Sequence, residues 1–197
     1  MDIDPTAQSM TQGRHGTLVA VVGPSGAGKD SLLALAAQHF QGCADVHFVR
    51  RVITRSKDAG GEDHDSVTSD EFAALEAQDK FAVCWKAHGL SYGVPADVFS
   101  QLEKGDLVIV NGSRSTLPDF QSAFARLQVI NITARTEVLA ERLEKRGRES
   151  KADILLRLQR SVFDIPANFS VATIDNSGDL ETAGQTLIRI LENYRQR

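Results

Sequence analysis

The run Gly23-Pro24-Ser25-Gly26-Ala27-Gly28-Lys29 sets a glycine, four further residues and then Gly-Lys in a row. That spacing lets backbone N–H groups curl around phosphate oxygens without interference from Cβ atoms, while the lysine ammonium reaches the β- and γ-phosphates of a nucleotide. The expected nucleotide-binding residues are therefore Gly23, Pro24, Ser25, Gly26, Ala27, Gly28, Lys29, Asp30 and Ser31, with the dipole of the following helix added at its N-terminus. Such a loop normally has Ser or Thr after the lysine to hold Mg²⁺, and this chain has Asp30. A carboxylate is a hard oxygen ligand too, so Asp30 is the expected metal residue.

A glycine-rich turn ahead of a helix is the plain alternative. The flanks argue against it: Thr17 to Val22 is a continuous apolar run, and Leu32, Leu33, Leu35, Ala36 and Phe40 recur at helical spacing. Arginines form the second chemical feature, gathered at Arg50 to Arg55 and Arg142 to Arg160. On a helix alone they read as a solvated face paired with Glu141, Glu144 and Glu149. Beside a phosphate loop they fit another task, since phosphoryl transfer needs positive donors around the migrating group and planar arginine forks supply them. Residues from about 136 to 162 are accordingly expected to form a helical lid.

The elements that must position these residues follow from periodicity. Strands are expected at Thr17 to Val22, Val46 to Ile53, Phe81 to His88, Leu107 to Val110, Val129 to Ile132 and Val171 to Ile174. Helices are expected at Lys29 to His39, from the Thr68/Glu71 capping box to Gln78, and at Pro95 to Lys104, Thr136 to Lys145, Lys151 to Val162 and Leu180 to Tyr194. This alternation predicts an α/β fold with a parallel sheet covered on both faces. With 197 residues, 42% hydrophobic and 24% charged, the chain suits one such domain from residue 17 onward, behind a polar, flexible leader over residues 1–16. A net charge of −4 argues against nucleic-acid and membrane-surface partners. Cys43 and Cys84 have no metal-ligand spacing, and no secretory leader or membrane span is evident, so a cytoplasmic location is expected.

Gly23 to Lys29, Thr54-Arg55, Tyr92-Gly93, Arg142 to Gly147 and Arg157-Leu158 together resemble the guanylate kinase family over nearly the whole chain. The resemblance implies a three-layer P-loop kinase fold of the nucleoside monophosphate kinase type, with an acceptor-binding region at about 46–94. It further implies Lys29, Arg142, Arg146 and Arg157 as catalytic residues and Arg55 as an acceptor-phosphate ligand. The guanine-reading positions depart from the family: Val83 stands for a carboxylate, Asp58 for an arginine, His64 for a tyrosine and Asn111-Gly112-Ser113 for Asp-x-Asp. A pocket without those groups makes GMP an unsuitable acceptor.

The blocks Gly23 to Leu33, Arg51 to Arg55, Gly61 to His64, Trp85 to Val94 and Val110 to Arg114 are similar to the ribose 1,5-bisphosphate phosphokinase family of phosphonate breakdown. That resemblance implies ATP and ribose 1,5-bisphosphate as substrates, with Mg²⁺. An acceptor with two phosphates and no base needs cations at both ends and hydroxyl partners between them. The expected substrate-binding set is Arg51, Arg55, His64, Lys86, His88, Tyr92, Asn111, Ser113 and Arg114. Each histidine is equally readable as a satisfied or surface residue, and Trp85 reads as core. Asp175-Asn176-Ser177 is either an adenine-contacting stretch or a turn ahead of the helix cap Asp179. A guanylate kinase with altered contacts, another small phosphosugar kinase and a non-catalytic scaffold are the competing functions.

Overall fold

In the computed structural model, which describes residues 15–56, 62–145 and 165–196, β1 (Thr17–Val22) is fully covered on both faces. Its alternation explains how. Val19 and Val21 pack with Leu32 and Ala36 of α1 (Lys29–His39) and with Leu187 and Leu191 of α6 (Leu180–Arg195). Leu18, Ala20 and Val22 face the other way, onto Val98 of α3 (Val98–Glu103) and Leu117 and Phe120 of α4 (Leu117–Ala123). A strand buried on both sides has no polar alternation to show, which is why it reads as one apolar run.

β1 lies at the centre of a wholly parallel sheet. Its neighbours are β7 (Leu107–Asn111) and β8 (Leu127–Thr133), and the edges are β2 (Val46–Phe48) and β9 (Val171–Asp175). The chain leaves β1 for the β2–β7 side and later returns on the β8 side, so a crevice opens at the carboxyl end of β1, the usual place for a ligand in an open parallel sheet.

The strand expected over Val46 to Ile53 is two strands in two different sheets, β2 and β3 (Arg51–Ile53). Both are β-forming, but the chain turns at Val49-Arg50, where Val49 N–H makes its last bond to the Ile109 carbonyl of the parallel sheet. The second sheet has the order β4-β3-β6-β5, with β4 at His64–Ser66, β5 at Phe81–Ala87 and β6 at Leu90–Pro95. β4 and β6 were not expected, because their short runs carry polar and glycine residues. β5 and β6 form an antiparallel hairpin turning on His88 and Gly89, with φ of 52° and 75°, the left-handed pair that a tight two-residue turn requires. Pro95 therefore ends a strand, and α3 begins only at Val98.

α2 (Ser69–Ala77) has the expected capping box: Thr68 Oγ1 accepts from Glu71 N–H at 3.2 Å, and Glu71 Oε2 accepts from Thr68 N–H at 2.7 Å. α5 (Thr136–Glu144) buries Leu139 and Leu143, as its spacing predicts. The helix expected at Lys151 to Val162 lies outside the described residues, as do residues 1–14 of the expected leader. Its last two residues are tied to the fold: Gly16 N–H donates to the Leu102 carbonyl, and Arg126 donates to the His15 carbonyl. Among the described residues, no helix is long and apolar enough to cross a membrane.

Candidate active site

The glycine-rich loop joins β1 to α1, and among the described residues no side chain caps the helix start at Gly28, which leaves its first N–H groups without a side-chain acceptor. Gly28 sits at φ 87°, and a Cβ there would overlap Asn176 Nδ2. Asn176, 1% exposed, donates from Nδ2 to the Ala27 carbonyl at 2.8 Å, while its backbone N–H donates to Thr133. The stretch Asp175 to Ser177 is thus a brace beneath the loop, followed by the cap Asp179, which accepts from Thr182 N–H at 2.9 Å. α5 closes the loop's other side. Leu143 packs on Gly26, and Arg142 Nη1 reaches 3.5 Å from the Gly26 and Ala27 carbonyls.

Lys29 Nζ donates to the carbonyls of Gly23 at 2.9 Å and Pro24 at 3.3 Å. Burial pushes its pKa down to about 8; Asp30 and Glu62 oppose that shift, and Arg51 and Arg114 add to it. The ammonium is under-compensated, which suits a group that receives phosphate.

A cavity of about 390 Å³ opens in front of the loop. Gly23, Ser25, Gly26, Gly28, Lys29 and Asp30 line one end, and Arg51, Arg55, Trp85, His88 and Tyr92 the other, with Glu62, Asn111 and Ser113 between them. The parallel sheet supplies the first wall and the antiparallel sheet the second, so the crevice lies between the two sheets.

Arg55 Nε is buried with no hydrogen-bond partner among the described residues. Arg55 lines the cavity, but its Nε is closed to solvent, so the residue meets the cavity through its other atoms. Asn111, at the end of β7 beside β1, donates from Nδ2 to Asp30 Oδ1 at 2.9 Å and to Glu62 Oε2 at 2.5 Å. Its Oδ1 is buried and has no partner among the described residues. Ser113 Oγ pairs with Ser115 Oγ.

Several expected residues stand elsewhere. His64 is 4% exposed and absent from the cavity lining; its ring nitrogens face the carbonyls of Glu62 at 2.9 Å and Arg55 at 3.2 Å, so it fixes backbone. Lys86 is exposed, one residue out of phase with Trp85 and Ala87, which line the cavity; the pleat sends it to the opposite face of β5. Arg50 is turned to the surface between Asp63 and Asp65. Arg114 lies in a short 3₁₀ turn (Arg114–Thr116) behind Ser113 and does not line the cavity. Trp85 is not simply core: one side packs on Phe120, and another part of the ring lines the cavity, stacked on Tyr92 at 5.4 Å. Arg146 and Arg157 lie outside the described residues.

Sequence reasoning missed Glu62, whose signal was indirect. Arg51 is 8% exposed and needs a carboxylate, and the parallel pairing of Arg51 with His64 brings Glu62 beside it.

The AAA domain family model matches residues 19–160. Among solved structures, a guanylate kinase from Anaplasma phagocytophilum superimposes with a TM-score of 0.66 at 19% identity, covering 93% of this chain and 88% of that one. A gluconokinase from Sinorhizobium meliloti gives 0.53 at 17%, over 93% and 95%. At those identities the likeness is one of fold. Relatives in sequence are far nearer. Ribose 1,5-bisphosphate phosphokinase PhnN from Agrobacterium fabrum is 57% identical over 89% of this chain and 96% of its own length, and its counterpart from Rhizobium etli is 58% identical over 90% of each. With a phosphate loop and an arginine-lined pocket sharing one cavity, and identity of that depth across nearly the full length, the chain belongs to the ribose 1,5-bisphosphate phosphokinase family, on a guanylate-kinase-like P-loop fold.

Proposed function

We propose that this chain transfers the γ-phosphoryl group of ATP to the 1-phosphate of ribose 1,5-bisphosphate, giving 5-phosphoribosyl 1-diphosphate and ADP. The observation that carries the reading is one cavity lined by Lys29 and the phosphate loop and also by Arg51 and Arg55. Those two arginines are cations placed for an anionic acceptor, in a cavity that also holds Lys29.

In the transfer, an oxygen of the 1-phosphate forms a bond to the γ-phosphorus as the bond from that phosphorus to the β–γ bridging oxygen breaks, and ADP leaves with the electron pair. The second pKa of a phosphate monoester is about 6, so the attacking oxygen is already ionised at neutral pH and no side chain has to take a proton. Catalysis then consists of positioning and charge neutralisation. Lys29 leaves the Gly23 and Pro24 carbonyls for the β- and γ-phosphates, and the N–H groups of the loop and of α1 hold the remaining oxygens. Arg142, already at the loop, meets the migrating group, together with Arg146 and Arg157 of a lid spanning about 136–162. Arg55 and Arg51 bind acceptor phosphate in a region spanning about 46–94, while His88, Tyr92, Asn111 and Ser113 border the sugar.

Asp30 offers carboxylate oxygens to a hard divalent cation, with the Asn111 amide beside it; the Asn111 oxygen, now closed to solvent, would have to turn toward the cavity to join. Bound there, Mg²⁺ would supply charge neutralisation of the nucleotide phosphates. Asp30 and Asn111 would hold it, in place of the hydroxyl that usually follows the lysine.

The test is to mix the purified protein with ATP, Mg²⁺ and either ribose 1,5-bisphosphate, GMP or gluconate. ADP release and the diphosphate product are then followed directly. Turnover with the bisphosphate alone is expected; turnover with GMP or gluconate alone overturns the reading.

A further inference from the structure

Glu62 is a carboxylate inside a cavity read as a seat for phosphates, where an unassigned negative charge would repel the ligand. Both of its oxygens are committed. Oε1 accepts from Arg51 Nε at 3.0 Å and Nη2 at 2.5 Å, and Oε2 accepts from Asn111 Nδ2. Arg51 in turn lies with its guanidinium carbon 5.3 Å from the Trp85 ring centre and 5.0 Å from that of Tyr92, and those rings stack within 9° of parallel.

An arginine side chain has many rotamers, and a side chain ordered in advance loses less on binding. Glu62 fixes one edge of the guanidinium, the aromatic pair fixes its face, and Asn111 anchors Glu62 to the end of β7 beside the loop. The Nη1 edge of Arg51 takes no part in the contact with Glu62.

We infer that Glu62 is a positioning residue of the acceptor site: it holds Arg51 over the Trp85–Tyr92 pair so that the other guanidinium edge meets an anionic group of the acceptor. This rests on the kinase reading of the cavity. Glu62 acts chiefly through Arg51 and sets acceptor affinity; its charge also favours the Lys29 ammonium and its Oε2 holds Asn111, so a smaller effect reaches the nucleotide end. A carboxylate acting merely as a nearby negative charge would do the reverse, weakening acceptor binding in the wild type.

The experiment is a double-mutant cycle of Glu62→Ala and Arg51→Ala, with Glu62→Gln as the variant that keeps the side-chain shape. Glu62→Ala, assayed at pH 7 where Lys29 stays charged, is expected to raise the acceptor KM at least tenfold and by several times more than it changes kcat or the ATP KM. In the Arg51→Ala background the same change should add less than twofold. An acceptor KM that falls, equal losses in kcat and both KM values, or additive effects in the cycle would each overturn the inference. A second arm needs no turnover. Trp85 is the sole tryptophan, so its emission and its quenching by acrylamide report the guanidinium seated over it. Glu62→Ala and Glu62→Gln should shift both in the direction that Arg51→Ala does. Unchanged fluorescence overturns the clamp even if wild-type protein fails to phosphorylate ribose 1,5-bisphosphate, an outcome that would instead overturn the proposed function.

Discussion

Lys29 carries the clearest pH signature among the described residues. Its pKa falls from 10.5 to about 8 through burial, so between those values the unfolded chain binds a proton that the native chain has released. For this residue, stability therefore rises with pH from about 8 to 10.5. Nucleotide binding runs the other way, because phosphate favours the charged form. ATP affinity should fall about tenfold per pH unit above pH 8, and Lys29→Arg, charged throughout, should flatten that slope in titrations from pH 7 to 9.5. Arg55→Ala should lower kcat/KM for ribose 1,5-bisphosphate by about 10² to 10³ and leave ATP affinity unchanged in steady-state kinetics. At this scale the sequence was informative wherever a motif fixes geometry: the loop residues and the Asp30 substitution were legible from spacing alone. His64 and Lys86 were not, because the side of a strand that faces a cavity depends on its register.

Among the elements, α2 stands on its capping box, so Thr68→Ala should cost about 1 kcal/mol in chemical denaturation. Because the helix lies away from the cavity, kcat should not change. The turn after β9 has the opposite profile. Asn176→Ala removes the close donor of the Ala27 carbonyl and leaves it only Arg142 Nη1 at 3.5 Å, at a cost of about 1 kcal/mol, and ATP affinity should drop at least fivefold in the same titration. Element types were readable where periodicity was long: β1 and α1 have the boundaries expected of them. They were unreadable where the chain passes between sheets. Val46 to Ile53 is uniformly β-forming, and what divides it into β2 and β3 is the choice of partners, β7 for one and β4 with β6 for the other.

Across the whole molecule the cavity belongs to both sheets, so ligands at its two ends should act as a common brace. ATP at a hundredfold excess over its Kd should stabilise the fold by about 2.7 kcal/mol, read as a rise in Tm, and Lys29→Ala should remove most of that shift. The architecture as a class was legible, since alternating strands and helices imply a covered parallel sheet. The second sheet was not, because its strands are short and gain identity only by pairing. Strand order also sets a timetable for biosynthesis. β1 is made first, yet its partners begin at Leu107 and Leu127, and the loop's brace is Asn176. A ribosome-bound nascent chain therefore carries the nucleotide motif long before it can close around a nucleotide. Such high contact order slows folding, and the apolar β1 stays uncovered by α6 until the last quarter of the chain emerges.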